Sequence, residues 1–482
     1  MDGISGQHVV VVGAGIAGLA AALYLSRAER NLRVTVLEAA PRIGGKLYST
    51  PLAGVEIDAG AEALLAARPE AKELVRLAGL GDELVDCGTS GSAILSRGSL
   101  RPLPKGSVMG IPTDLPALAR SGILSPAGLA RAGLDLVLPP TPATVDVPVA
   151  AYIRARLGQE VVDRLVEPML GGVYAGHADR LSLRATLPSI SGIARTGRSL
   201  IRALWETGKR PKPAGPVFVT LRRGLGSLPE AVAKASGADV RTGVTVRDLV
   251  RTPGGWRVVT GTGGTEEAIE ADGVVLAVPA RVAARLLRRE LPGAAAELSG
   301  IGYASVAIVT LAYPKAVFPR TTVGSGYLIP PVERRPVKAV TFSSVKWPHL
   351  AEAGRDLVFV RCSIGRLGEE MLLQRDDAEL AALAQEELTE TLGVGDRPID
   401  VRVTRWGGAL PQYEVGHLDR IARARAAVAA QPGLALCGAA YDGVGIPACI
   451  ASARTAVSQV LARLGTAGAP AGPDPSAGRM GA

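Results

Sequence analysis

Aromatic residues make up only 4% of the 482-residue chain, and cysteine and histidine occur four times each. With so few Phe, Trp and Tyr side chains, Ala, Val, Leu and Gly must build most of the core. Cys87, Cys362, Cys437 and Cys449 form no CxxC pair, and the histidines do not cluster around them. That spacing excludes a disulfide framework and a zinc site and fits a reducing compartment. No stretch of 18 uncharged apolar residues occurs, and residues 1–8 have neither the basic start nor the apolar run of a signal peptide. The expectation is a cytoplasmic protein without metal.

What is present describes a large globular chain. Apolar residues reach 47% and charged residues 21%, which excludes wholesale disorder. The length exceeds one ordinary core, so two or three structural domains are expected. The net charge of +9 suits a solvated basic surface, an anionic membrane or an acidic substrate. A basic run, Arg195, Arg198, Arg202, Lys209, Arg210 and Lys212, could rest peripherally on anionic lipid. It is read as lacking the stacking aromatics of a nucleic-acid surface, so no nucleic-acid partner is expected.

The first ordered pattern is strand, glycine turn, helix, strand. Residues 8–12, HVVVV, form a β-branched run of the kind buried on both faces of a parallel sheet. Gly13, Ala14, Gly15, Ile16, Ala17 and Gly18 follow as a GxGxxG turn opening a helix over 19–30, and a second strand at 33–38 ends on Glu38. In this fingerprint Gly13 permits the tight turn, Gly15 lets the backbone approach a pyrophosphate, and Gly18 allows close helix–strand packing. The helix N-terminus faces the phosphate, and Glu38 is placed for the ribose hydroxyls.

The rest divides by pattern. Residues 66–214 read as mainly helical, with helices over 69–80, 126–138 and 149–166. Strands return at 240–250, 256–260 and 271–279. A mixed sheet with one helix at 377–392 occupies 291–403, and a strand at 434–438 precedes a helix at 447–464. The expected partition is therefore α/β: a Rossmann-like unit from 1–65, 215–290 and 404–465, a helical insertion, a mixed-sheet substrate lobe at 291–403, and a disordered tail at 466–482. A second glycine turn, Gly438 to Pro447, lies between that last strand and helix. Two such turns at opposite chain ends point to one large cofactor.

Several segments carry a resemblance. Residues 42–46, RIGGK, resemble the RxGG segment of the FAD-dependent amine oxidase superfamily. Residues 166–176 (VEPMLGGVYAG) and 440–447 (AYDGVGIP) resemble the porphyrinogen oxidases within it, as do 223–229 (RGLGSLP), 409–413 (ALPQY) and 60–69. The resemblance spans about residues 9–464. It implies FAD held by discontinuous segments, with Arg42, Gly44, Gly45, Lys46, Val244, Gly443, Val444, Ile446 and Pro447 joining the first turn as cofactor residues. It implies Arg68 as the partner of a substrate propionate and Gly172 and Tyr174 as cavity wall.

The implied reaction is oxidation of coproporphyrinogen III to coproporphyrin III in heme biosynthesis. Pyrrole nitrogens push hydride from a bridging carbon onto flavin N5, and O2 takes the electrons, giving three hydrogen peroxide for six electrons. The cofactor performs the hard step, so no catalytic side chain is assigned. Protoporphyrinogen IX is the alternative substrate. A different flavin amine oxidase or desaturase, and a non-catalytic lipid-carrying chaperone of the same architecture, are the competing classes. A homodimer or a heme-pathway partner stays open.

Overall fold

The computed structural model describes residues 6–89, 91–209, 215–262, 265–319 and 324–466. Arg210, Lys212 and the tail after Thr466 lie outside these residues.

The strand Gln7–Val12 pairs in parallel with Leu32–Leu37 on one side and Gly273–Leu276 on the other, which buries Val9, Val10 and Val11 completely. Asp239–Arg241 and Leu434–Leu436 close the two edges of a five-stranded parallel sheet. Three distant stretches of chain therefore build one sheet. The helix Ile16–Ser26 packs on it through Leu19, Leu23 and Leu25, and the small side chains Ala20, Ala21 and Ala22 admit the neighbouring helices Leu228–Ser236 and Ile446–Thr466. The observed fold is the mixed α/β arrangement read from the sequence.

A seven-stranded mixed sheet forms the second layer, in the order Asp400–Pro411, Tyr303–Pro314, Leu357–Ile364, Val337–Phe342, Gly326–Leu328, Ala93–Ser96, Ser99–Pro102. Its one parallel pairing joins Gly326–Leu328 to Ala93–Ser96. One face is covered by the helix Asp377–Leu392, which Asp376 and Glu379 close with a reciprocal capping box.

The structure departs from the sequence expectation in several places, and the expected boundary at 403/404 falls inside the strand Asp400–Pro411, all of which belongs to the mixed sheet. The hairpin Ala93–Ser96 and Ser99–Pro102 stands within the stretch read as helical, yet it extends the mixed sheet. The helix expected over 149–166 stops at Leu157, because Gly158 adopts φ +90° and a Cβ there would press on the Arg131 side chain. Helix resumes at Gln159–Val161 and passes through a π-helical stretch, Val162–Val166, into the helix Glu167–Tyr174. Likewise the strand expected at 240–250 is two strands, Asp239–Arg241 and Val246–Thr252, separated by Gly243 at φ +71°.

The helical stretch is organised around a fully buried ion pair, Asp135 with Arg156, at 2.6 Å. Arg156 also donates to the carbonyls of Pro139 and Asp135, while the second Asp135 oxygen accepts from Ser199 Oγ at 2.7 Å and the Ile201 amide at 2.9 Å. With every polar atom of the carboxylate occupied, the pair ties the turn Leu134–Leu136 to the helices Val149–Leu157 and Leu200–Gly208. Asp135→Ala leaves an uncompensated buried guanidinium and is expected to cost about 3–5 kcal/mol. Paired replacement by Leu at 135 and Met at 156 should recover most of that loss in denaturant unfolding.

Candidate cofactor and substrate site

The glycine turn sits where the parallel strands end. Gly13, at φ +101°, donates its N–H to Leu37 O at 2.7 Å, and a Cβ there would lie 2.7 Å from Ala277 O. A Cβ on Gly18 would drive into the Gly13 carbonyl oxygen, so the helix can approach the strand only with glycine at both positions. Gly15 is different. A Cβ there meets nothing within 4 Å, which leaves its backbone facing open space at the helix N-terminus.

Glu38 follows the strand Leu32–Leu37, and its carboxylate accepts the Ala14 N–H at 2.7 Å and the Ala40 N–H at 2.8 Å. These bonds orient it beside the turn. Val244 is held next to it, its N–H donating to Glu38 O at 2.8 Å. The second glycine pair touches the first: Gly44 donates to Ala14 O at 2.8 Å and pairs with Gly15. Arg42 braces this turn by donating to the carbonyls of Ile43 and Gly45, with its guanidinium 4.4 Å from the Tyr48 ring centre.

Lys46 is reachable by solvent yet densely surrounded by protein, the combination that describes the wall of an internal cleft. Burial, with a smaller contribution from the charge of Arg281, lowers its pKa. Arg281 stands on the first turn of the helix Ala280–Leu287, its guanidinium 5.3 Å from the Tyr303 ring centre. Among the described residues neither cation has a carboxylate partner. Sequence reading missed Arg281. Its signal was a basic residue on the first turn of the helix after a parallel strand, where anions are seated.

The C-terminal glycine turn closes the same space. Ile446 and Cys449 share one hydrophobic cluster with Ala14, Ile16 and Ala17, while Pro447 stands in the first turn of the helix Ile446–Thr466. Gly443, at φ +132°, gives its N–H to the Tyr413 hydroxyl, and Val444 packs towards the helical cluster. Cradle, acid and uncompensated cations are the donor set that a dinucleotide with a diphosphate requires, so these residues fit FAD.

The substrate candidates do not gather so closely. Gly172 is exposed on the helix Glu167–Tyr174, where a Cβ would lie 3.7 Å from Leu328 Cδ2. Tyr174 is buried, and desolvation pushes its hydroxyl pKa up to about 12. It packs 5.8 Å from Tyr413, and its carbonyl accepts from Gln412 Nε2 at 2.8 Å. Arg68 precedes the helix Pro69–Leu77 and pairs with Glu70 at 2.7 Å with 47% of its side chain exposed. Among the described contacts it meets neither Gly172 nor Tyr174.

The family described as flavin containing amine oxidoreductase matches residues 16–461. The chain belongs to it. Its cofactor is FAD, and it is an oxidoreductase. It is 36% identical to the coproporphyrinogen III oxidase of Bacillus subtilis (strain 168), over 95% of this chain and 98% of that protein. It is 37% identical to the coproporphyrinogen III oxidase of Mycobacterium leprae (strain TN), over 96% of this chain and the whole of that protein. A crystal structure from Exiguobacterium sp. 255-15, provisionally named a protoporphyrinogen oxidase, superposes with a TM-score of 0.84 at 34% identity, covering 95% of this chain and 99% of that one.

The two glycines of the first turn should separate folding from cofactor binding. Gly15→Ala has space for its methyl group, so the apoprotein should unfold within about 0.5 kcal/mol of wild type while FAD affinity drops. Gly18→Ala should destabilise the apoprotein itself, by about 1–3 kcal/mol through overpacking. Denaturant unfolding beside an FAD titration distinguishes the two.

Proposed function

We propose that this flavin enzyme oxidises coproporphyrinogen III to coproporphyrin III. The observation that carries this reading is near full-length identity of 36–37% to relatives of that name, joined to a cleft whose walls bear the FAD donor set. Bound FAD supplies a two-electron acceptor that dioxygen regenerates, so three turnovers remove six electrons and form three hydrogen peroxide. The chain's own task is to bind and orient.

Glu38 holds the ribose hydroxyls, and Gly15 and the helix N-terminus behind it receive the diphosphate, whose charge Lys46 and Arg281 offset. Gly172, exposed and without a side chain, offers a flat wall beside Leu328 on which a macrocycle can lie. Arg68 takes a propionate. Its present partner Glu70 forms an exposed pair worth about 0–1 kcal/mol, so a substrate carboxylate can displace it, and the planar guanidinium accepts a carboxylate through two donors.

A peripheral membrane contact rests on a separate observation. Leu134, Leu136, Val137 and Trp205 are exposed on adjoining parts of the helical stretch, beside the exposed cations Arg198, Arg202 and Lys209. The basic run thus does contain an aromatic: Lys209 Nζ lies 3.4 Å from the Trp205 ring centre. No helix among the described residues is long and apolar enough to cross a membrane. Apolar side chains among cations suit the surface of an anionic bilayer.

Aerobic incubation of the FAD-loaded protein with coproporphyrinogen III should raise porphyrin fluorescence well above autoxidation and yield peroxide at about three per porphyrin formed. A faster turnover of protoporphyrinogen IX would reassign the substrate. In sedimentation with vesicles, binding should require anionic lipid, weaken with salt and fall in Trp205→Ser. Equal recovery on neutral vesicles would remove the membrane reading.

A further inference from the structure

The strand Asp400–Pro411 leaves the mixed sheet through Gln412 and Tyr413, and Tyr413 reaches the C-terminal glycine turn from behind. Its side chain is buried. The hydroxyl donates to Ala439 O at 2.6 Å and accepts the Gly443 N–H at 2.8 Å. One donor and one acceptor of a single phenol thus grip both arms of the turn between Leu434–Leu436 and Ile446–Thr466. Desolvation holds that hydroxyl proton far above the usual phenol range, so the donor persists at any working pH.

His417 reinforces the grip. Its ring stacks on Tyr413 with centres 3.9 Å apart and planes 16° apart, beside the backbone of Ala440. Burial pushes its pKa down to about 4, so the stacked ring is neutral at pH 7.

The loop that carries both rings is anchored on its far side. Tyr413 O accepts the Ser182 N–H at 2.7 Å, Val415 donates to Arg180 O at 3.2 Å, and the Asp146 carboxylate takes the Gly416 N–H at 2.9 Å together with the Ser182 hydroxyl. The turn being gripped depends on glycine at two positions, Gly438 and Gly443, which occupy positive φ at +126° and +132°, while Arg425 holds the Asp442 carboxylate between them.

We propose that Tyr413 is a positioning residue for the cofactor: it fixes the C-terminal glycine turn in the shape that seats the flavin, with His417 as its brace. The role rests on the FAD reading of the cleft and acts through backbone atoms of residues 439–443. Tyr413 does not itself touch the reacting atoms.

The test is an FAD titration of the apoprotein, followed by quenching of flavin fluorescence, for wild type, Tyr413→Phe and His417→Phe. Tyr413→Phe keeps the ring contacts with Tyr174 and His417 and removes only the hydroxyl. Its FAD dissociation constant should rise about tenfold, as expected for two lost hydrogen bonds, and the visible flavin band should shift. His417→Phe keeps the stacking and should weaken FAD by about threefold. It also supplies the readout should Tyr413→Phe yield no folded apoprotein. A lower unfolding midpoint in either variant with wild-type FAD affinity and spectrum overturns the role, since that is the mark of general packing. Failure of the wild-type apoprotein to bind FAD overturns the cofactor reading and this role together, whereas tight wild-type binding with unchanged variants overturns this role alone.

Discussion

The constraint on which the rest depends is direct backbone contact at the first glycine turn. Gly18 must lie against the Gly13 carbonyl and Gly44 against Ala14 O, so strand, helix and second turn meet with no side chain between them. That approach aligns the amides of the helix Ile16–Ser26 with the end of the parallel sheet and leaves Gly15 facing open space. Methyl groups at Gly13 or Gly18 would separate these layers, and the anion seat would widen beyond hydrogen-bond reach. The cofactor site is thus a consequence of packing density before it is a matter of chemistry.

Charge completes what packing begins. In the helical stretch the buried Arg156 has a carboxylate and further acceptors, as a buried cation requires. Lys46 and Arg281 line the cleft with no such partner among the described residues, and their mutual repulsion contributes to the lowered lysine pKa. Two unpaired cations beside a helix N-terminus destabilise the empty protein, and an anionic ligand relieves that cost. The donor set therefore favours the loaded state over the empty one, a bias that a merely polar cleft would not provide.

The N-terminal unit was legible because its signals are local: a β-branched run, glycines at fixed spacing and an acid at the next strand end. The helix Asp377–Leu392 was legible for the same reason, with Asp376 and Glu379 marking its start. The hairpin at 93–102 was not, since its place depends on parallel pairing with Gly326–Leu328, more than two hundred residues away. Gly158 and Gly243 fell inside an expected helix and an expected strand until positive φ showed them ending elements. At the site, the residues on the glycine turns could be named from motif mechanics. Arg281 was missed although its place on the first turn of the helix after a parallel strand was readable, and Tyr413 was missed because it reaches a turn thirty residues downstream.

The interleaving of the chain brings the glycine turns of both its ends to one sheet. The parallel sheet draws strands from residues 7–37, 239–276 and 434–436, and the helix Ile446–Thr466 packs on Ile16–Ser26. No contiguous piece contains the cleft. Closing the sheet joins segments far apart in the chain, which costs loop-closure entropy that the hydrophobic cluster including Leu19, Leu23, Ile450 and Val457 helps to offset. The C-terminal turn depends on that closure, and two of its glycines stand at positive φ. A clamp from the end of a strand, at Tyr413, is the kind of support that holds such a turn in one shape.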